Sequence, residues 1–197
     1  MEAVIIDSGG ANLASLQFAF ERLGARAQVS SDPRVIESAP RVVLPGVGSA
    51  TDAMRRLHGG AIAHLLPKLT QPVLGICLGM QLLFAASEEG PTECLGILPG
   101  TVQRLRPAPG RPVPHMGWNQ IVPAREDPLL DGVARDDYVY FVHSFAVPAS
   151  SVTLATADYG TAVSAVVRQG NFWGTQFHPE RSAETGSRIL HNFLRLQ

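Results

Sequence analysis

The chain has 197 residues, and its 16 lysines and arginines against 17 aspartates and glutamates leave a formal charge of −1. With no basic excess to neutralise a phosphate backbone, the composition argues against a nucleic-acid binder. A hydrophobic content of 45% with only 17% charged residues argues against disorder and supplies one large core, so residues 1–197 read as a single domain.

Taken in chain order, Ala3-Val4-Ile5-Ile6 is a β-branched apolar run ended by Asp7-Ser8-Gly9-Gly10, which predicts a buried strand entering a tight turn. Asp7 interrupts that run too early for a signal peptide, and no later run approaches the ~18 apolar residues of a membrane span. A soluble cytoplasmic protein with no membrane association is expected. Asn12 is placed to cap a helix whose Leu13, Leu16, Phe20 and Leu23 share one face, and Gly24 suits its end. Val42-Val43-Leu44 predicts a second strand, stopping at Pro45-Gly46-Val47-Gly48. Val73-Leu74-Gly75-Ile76 predicts a third, leading into Cys77 and a helix through Met80, Leu82, Leu83 and Phe84. Strand then helix, repeated, predicts an α/β fold with a mostly parallel central sheet flanked by helices.

The middle changes character. Pro99 to Pro114 carries five prolines, which predicts turns and edge strands. Tyr138–Ala146, Val152–Ala157, Val163–Val167 and Phe172–Phe177 predict further strands, in part antiparallel. Ile189, Leu190, Phe193 and Leu194 share one face of a final helix. No internal repeat and no linker interrupts the pattern.

Chemistry concentrates in three places. Gly75-Ile76-Cys77-Leu78-Gly79 sets glycines two before and two after a cysteine, between a predicted strand and a predicted helix. That is the pattern of a nucleophile elbow, a turn too sharp for flanking side chains. Unpaired N–H groups at the helix start would stabilise negative charge on the sulfur. A buried cysteine packed as a small hydrophobe is the other reading of this pentapeptide. Cys94, the only other cysteine, lies in no motif and reads as packing, so neither a disulfide framework nor a cysteine-rich zinc site is expected.

A thiol nucleophile needs a base, and the base needs an orienting group. Of His58, His64, His115, His143, His178 and His191, only His178 has a carboxylate at short fixed spacing, in His178-Pro179-Glu180. Pro179 keeps His178 out of a helix, and in an extended segment residues two apart point the same way, which places Glu180 beside the imidazole. By itself the tripeptide reads more readily as a surface turn. His58, His64 and His191 lie in helix-like stretches and carry no catalytic expectation. For an oxyanion, the N–H of Leu78 is one natural donor, and Val47, in a segment that alone is a plain β-turn, offers a second. No HExxH pattern and no complete GxGxxG is present, so neither a metal nor another cofactor is expected.

Together these segments resemble the class I, triad-type glutamine amidotransferases over nearly the whole chain. The likeness is strongest to those serving as glutaminase subunits of imidazole glycerol phosphate synthase, in histidine biosynthesis. Cys77, His178 and Glu180 fall on the family's triad, Pro45-Gly46-Val47-Gly48 on its oxyanion strand, and Gly48, Gln81, His143 and Ser144 on its glutamine contacts. The subfamily likeness rests on Met80, where many relatives have histidine, on Pro114-His115-Met116-Gly117-Trp118-Asn119 and Tyr140-Phe141-Val142-His143-Ser144-Phe145, and on Asn12, Leu13 and Ser15. Ser8, Ala11 and Arg181 depart from the family's usual tyrosine, glycine and lysine. The resemblance implies a flavodoxin-like fold and hydrolysis of L-glutamine to glutamate and ammonia. It also implies a heterodimer with a (β/α)₈-barrel cyclase subunit, which receives the ammonia directly and makes imidazole glycerol phosphate and an aminoimidazole carboxamide ribotide.

Asn12, Trp118 and Arg181 are expected at the partner interface, with a core position the rival for Trp118. Competing functions remain at this level. A glutaminase of anthranilate or pyridoxal phosphate synthase would share the triad but not the Pro114–Asn119 segment. A cysteine hydrolase or protease would share the elbow but has no use for Pro45–Gly48. A non-catalytic regulatory subunit of the same fold would commonly have lost a triad member.

Overall fold

The computed structural model describes residues 2–7, 9 and 13–197. Strand β1 (Ala3–Ile6) leads to helix α1 (Leu13–Arg22), then β2 (Ala27–Ser30), α2 (Pro33–Glu37), β3 (Val42–Leu44), α3 (Ala50–Gly59) and α4 (Ile62–Leu65). The chain continues through β4 (Val73–Ile76), α5 (Leu78–Leu82), β5 (Phe84–Ser87), β6 (Thr92–Glu93), β7 (Leu98–Arg104), β8 (His115–Gln120) and β9 (Val122–Pro123). It ends with β10 (Tyr138–His143), β11 (Phe145–Ala146), β12 (Thr153–Asp158), β13 (Ala162–Gln169), β14 (Phe172–Thr175) and α6 (Ala183–Arg195).

The central sheet has the order β2-β1-β3-β4-β14-β13-β12-β9. Neighbours from β2 to β14 run parallel, and β13, β12 and β9 continue the sheet antiparallel. This is the mostly parallel, helix-flanked α/β sheet that the alternation of apolar runs and helical faces predicts. Every residue of β1, β3, β4 and β14 is buried, and β1, β3 and β4 carry no polar side chain, so no polar alternation marks them. Alternate residues still serve different cores. Val4, Ile6, Val42, Leu44 and Val73 pack with α3, α4 and α5 on one face. Ile5, Val43, Leu74 and Ile76 pack on the other face with Leu16 and Phe20 of α1 and Ile189, Leu190 and Phe193 of α6.

Two expectations change at this level. The helix after Cys77 ends at Leu82, and Phe84 begins a strand rather than extending the helix. The backbone carbonyls of Leu82, Leu83 and Phe84 accept bonds from the amides of Leu95 to Leu98, so a passing loop takes over what a further helical turn would have satisfied. A run buried on all sides offers no periodicity by which to see this. The stretch predicted as one strand over Tyr138–Ala146 changes sheets at Ser144: β10 pairs with β8, and β11 pairs with β7. The expected cap residue Asn12, with Ser8 and Ala11, lies outside the described residues. Among those described, no helix is long and apolar enough to cross a membrane.

Candidate active site

Strand β4 ends in a strained turn. Cys77 has φ 54° and ψ −114°, a conformation that costs a non-glycine residue about 1–3 kcal/mol and persists only when its surroundings impose it. The Cys77 amide donates to the Thr175 carbonyl of β14 at 2.7 Å, and the Gln81 amide donates to the Cys77 carbonyl at 3.2 Å. Sheet and helix thus hold the turn from both sides. The flanking glycines are explained by contact. A Cβ on Gly75 would stand 2.8 Å from Cα of Met80, and one on Gly79 would collide with the Leu44 carbonyl. Gly46 is seated against Leu78 in the same way, where a Cβ would stand 2.6 Å from that of Leu78. The Pro45–Gly48 segment is thereby pressed onto the start of α5, where the Leu78 N–H has no intrahelical acceptor. Gly48 has φ +88°, in the region that favours glycine.

His178 follows β14 two buried residues on and is extended, at φ −96° and ψ 99°. Beyond it the chain does not stay extended: Pro179–Arg181 forms a 3₁₀ turn. That turn, rather than strand alternation, folds Glu180 back so that its Oε1 lies 2.9 Å from His178 Nδ1. Proline at the first position of the turn costs nothing there, because that N–H would be unpaired anyway. The His178 amide donates to Tyr140 and its carbonyl accepts from Ser182 Oγ at 2.6 Å, which fixes the ring from its own backbone. Burial, the strongest single influence, disfavours charge on His178, yet the facing Cys77 and Glu180 together outweigh it and raise its pKa to about 10.

Beside this group lies a cavity of about 290 Å³ lined by Gly48, Cys77, Leu78, Gln81, Glu89, Pro114 and residues 142–145. Four residues expected to touch substrate, Gly48, Gln81, His143 and Ser144, therefore meet in one cavity. Their side chains are not equally available. Gln81 spends its amide nitrogen on the Phe145 carbonyl (2.8 Å) and on Gln176 Oε1 (2.9 Å), which leaves its own oxygen for a ligand. His143 spends Nδ1 on the same Phe145 carbonyl (2.8 Å) and Nε2 on His115 (3.0 Å), so the segment contributes to the cavity through its backbone and through Ser144.

Two members went unnoticed in the sequence. Gln176 is fully buried and aims Nε2 at Cys77 Sγ from 3.9 Å. Glu89 brings a carboxylate to the cavity wall while its Oε2 accepts from the first amide of α3 at 2.8 Å. Only the position of Gln176 two residues before His178 offered a signal; Glu89 lies in an ordinary acidic turn.

The sequence profile described as glutamine amidotransferase class-I matches residues 4–196. The chain belongs to that family. It is 54% identical over 99% of its length to an imidazole glycerol phosphate synthase subunit HisH of Xylella fastidiosa, of which 98% is covered. It is 52% identical, with the same coverage of both chains, to the HisH subunit of Xanthomonas oryzae pv. oryzae. Among solved structures it resembles a glutamine amidotransferase at TM-score 0.75 and 22% identity, covering 98% of this chain and 97% of the other. A glutamine amidotransferase of Thermotoga maritima superposes at TM-score 0.65 and 19% identity, over 94% of this chain and 79% of that one. Both likenesses concern the fold.

The surface of this amidotransferase next to the site is apolar. Strands β8 and β10 form a two-stranded ribbon with Trp118 opposite Tyr140 and Met116 opposite Val142. Trp118 is 52% exposed and Met116 62%, which removes the core position considered for Trp118. The Arg181 guanidinium lies 4.4 Å above the Tyr140 ring, and the Trp118 ring meets the same tyrosine edge-on at 5.9 Å. Two of the expected interface residues thus share one aromatic support, and Arg181 directly follows Glu180. Asn12 is outside the described residues.

Proposed function

We propose that this chain is the glutaminase subunit of imidazole glycerol phosphate synthase, with Cys77, His178 and Glu180 as its catalytic triad. The observation that carries the reading is the strained Cys77 facing a His178–Glu180 pair beside a cavity of about 290 Å³. Glutamine enters with its side-chain amide toward Cys77. Sγ, its proton already held by His178, attacks the amide carbon, and the carbonyl oxygen becomes an oxyanion facing the N–H groups of Leu78 and Val47. Such a donor is worth about 2.7–4 kcal/mol in comparable chemistry. When the tetrahedral species collapses, the C–N bond breaks, His178 protonates the departing ammonia, and a thioester remains. Water, deprotonated by His178, then cleaves the C–S bond and releases glutamate. Glu180 keeps the imidazole in the orientation each transfer requires. Gly48, Gln81 and Ser144 hold the α-amino and carboxylate ends, His143 supports them from the cavity wall, and the Glu89 carboxylate suits the ammonium.

The ammonia serves a partner. This reading makes the partner a (β/α)₈-barrel cyclase subunit that uses ammonia to form imidazole glycerol phosphate and the aminoimidazole carboxamide ribotide. It docks on the Met116–Trp118–Tyr138 face with Asn12 and Arg181 at the contact, in the cytoplasm. Residues at this face and in the triad share Tyr140 and the 178–181 turn, so docking is felt at the site. Co-expression with such a cyclase tests the proposal: a one-to-one complex that consumes glutamine in step with ribotide turnover is expected. A chain that binds no cyclase, or a complex that makes product only from ammonium salt, would contradict it.

A further inference from the structure

We infer that His115, which lies outside the triad, is a positioning residue for glutamine: through His143 it fixes the 143–145 segment of the cavity wall. The inference rests on the glutaminase reading above and assigns a role that the chemistry of Cys77 does not require.

His115 and His143 are direct cross-strand partners on the inner face of the β8–β10 ribbon, the face opposite Met116 and Trp118. The direction of every hydrogen bond between them is forced. The Phe145 carbonyl can only accept, so His143 Nδ1 carries the proton that bridges their 2.8 Å gap. Its Nε2 is then an acceptor, and His115 Nδ1 must donate across 3.0 Å. His115 Nε2 accepts in turn from Asn119 Nδ2 at 3.3 Å, and the second hydrogen of that amide goes to the Asp158 carbonyl at 2.9 Å. Both rings are neutral in this arrangement, and burial lowers both pKa values to about 4. The His115 ring is clamped between Phe141 (4.7 Å) and Tyr159 (4.0 Å) in stacked geometry, so the donor cannot swing away.

The place where this chain of donors ends decides its use. Residues 143–145 are where the backbone leaves β10 for β11, a strand of two residues, and between the two ladders the Ser144 carbonyl accepts from the Leu105 amide at 2.9 Å. The Phe145 carbonyl receives two side-chain donors, His143 from one side and Gln81 from the other, both at 2.8 Å. Gln81 continues to Gln176, and Gln176 to the Cys77 sulfur. One buried polar network therefore joins the wall that receives glutamine to the nucleophile, and His115 is its link to the strand that also bears Trp118.

The test uses the complete heterodimer and measures glutamate release and ammonium-dependent synthesis together. His115→Phe keeps the stacking and removes the donor, leaving His143 Nε2 unpaired. The expected result is a KM for glutamine raised about tenfold with kcat changed less than about threefold, and ammonium-dependent synthesis unchanged. His115→Asn, whose amide nitrogen can stand where Nδ1 stands, brings KM back to within about threefold of the unmodified enzyme. If the phenylalanine variant melts early, Asn119→Leu, which removes only the outer donor, gives the same KM-selective effect in smaller measure. An unchanged KM, an asparagine variant as poor as the phenylalanine one, or a change confined to melting temperature overturns the inference. An unmodified heterodimer that releases no glutamate instead overturns the glutaminase reading and this inference with it.

Discussion

His178 Nδ1 and Glu180 Oε1 stand 2.9 Å apart because a single turn of 3₁₀ helix, opened by Pro179, folds the carboxylate under the ring. Both side chains are nearly inaccessible, and the second carboxylate oxygen is buried with no hydrogen-bond partner among the described residues. The pair is therefore poorly screened, and its strength resides in the one contact.

Glu180→Gln keeps the shape and removes the charge. Glutamine hydrolysis is expected to fall by about 10²–10⁴-fold. The pKa of His178, about 10 with Cys77 and Glu180 in place, moves down. Because the imidazolium exists only below that value, the alkaline loss of the protonated form shifts to lower pH in the variant. Titration of His178 by NMR in both proteins checks this, and an unmoved titration would contradict the assignment of Glu180.

Acid stability follows from the other two buried histidines. His115 and His143 have pKa values of about 4 in the folded chain against an ordinary value of 6.5. Between those values the unfolded chain binds more protons, so stability rises with pH there. Their contribution is complete above about pH 6.5 and is lost as pH falls toward 4. Urea unfolding at pH 7 and pH 4.5 should show a marked fall for the native sequence and a shallower one for His115→Phe.

Much of this was legible in the sequence, for physical reasons. The strands Ala3–Ile6, Val42–Leu44 and Val73–Ile76 are apolar throughout because helices cover both faces, and such runs stand out against polar turns. Cys77 was visible through the glycines at 75 and 79, which steric contact requires. What escaped notice depends on long-range packing. The short helix after Cys77 is ended by a loop more than ten residues later in the chain, and strand β8 buries only His115, its other residues being half-buried or exposed. The extended geometry expected after His178 placed Glu180 correctly for the wrong reason. Gln176 and Glu89 carried no local pattern at all.

The exposed aromatic face gives a binding prediction. Trp118→Ala and Arg181→Ala remove an exposed ring and an exposed cation, so the melting temperature of the isolated subunit should hardly change. Affinity for the cyclase is expected to fall, by about 2 kcal/mol or more if Trp118 is an anchor at the centre of the contact. Calorimetric titration measures it; unchanged affinity in both variants would move the interface elsewhere.

Control of the site is expected at Pro45–Gly48. Without the cyclase the chain should release glutamate about 10²–10³-fold more slowly than in the complex, the effect of one misdirected oxyanion donor. A Cβ on Gly48 would meet nothing within 4 Å, so Gly48→Ala acts on the backbone alone, against its φ of +88°. It should alter the activation factor and lower the melting temperature by only a few degrees, the cost of alanine at a positive φ. Equal turnover with and without the cyclase would remove this segment from the mechanism.

The most direct test of the whole account is synthesis by the heterodimer carrying Cys77→Ala, supplied in parallel with glutamine and with ammonium salt. The sulfur is the only proposed route from glutamine to ammonia, and the cyclase performs every later step. Glutamine-dependent synthesis should disappear while ammonium-dependent synthesis continues at the rate of the unmodified complex. Equal loss with both nitrogen sources, or persistent synthesis from glutamine, would contradict it.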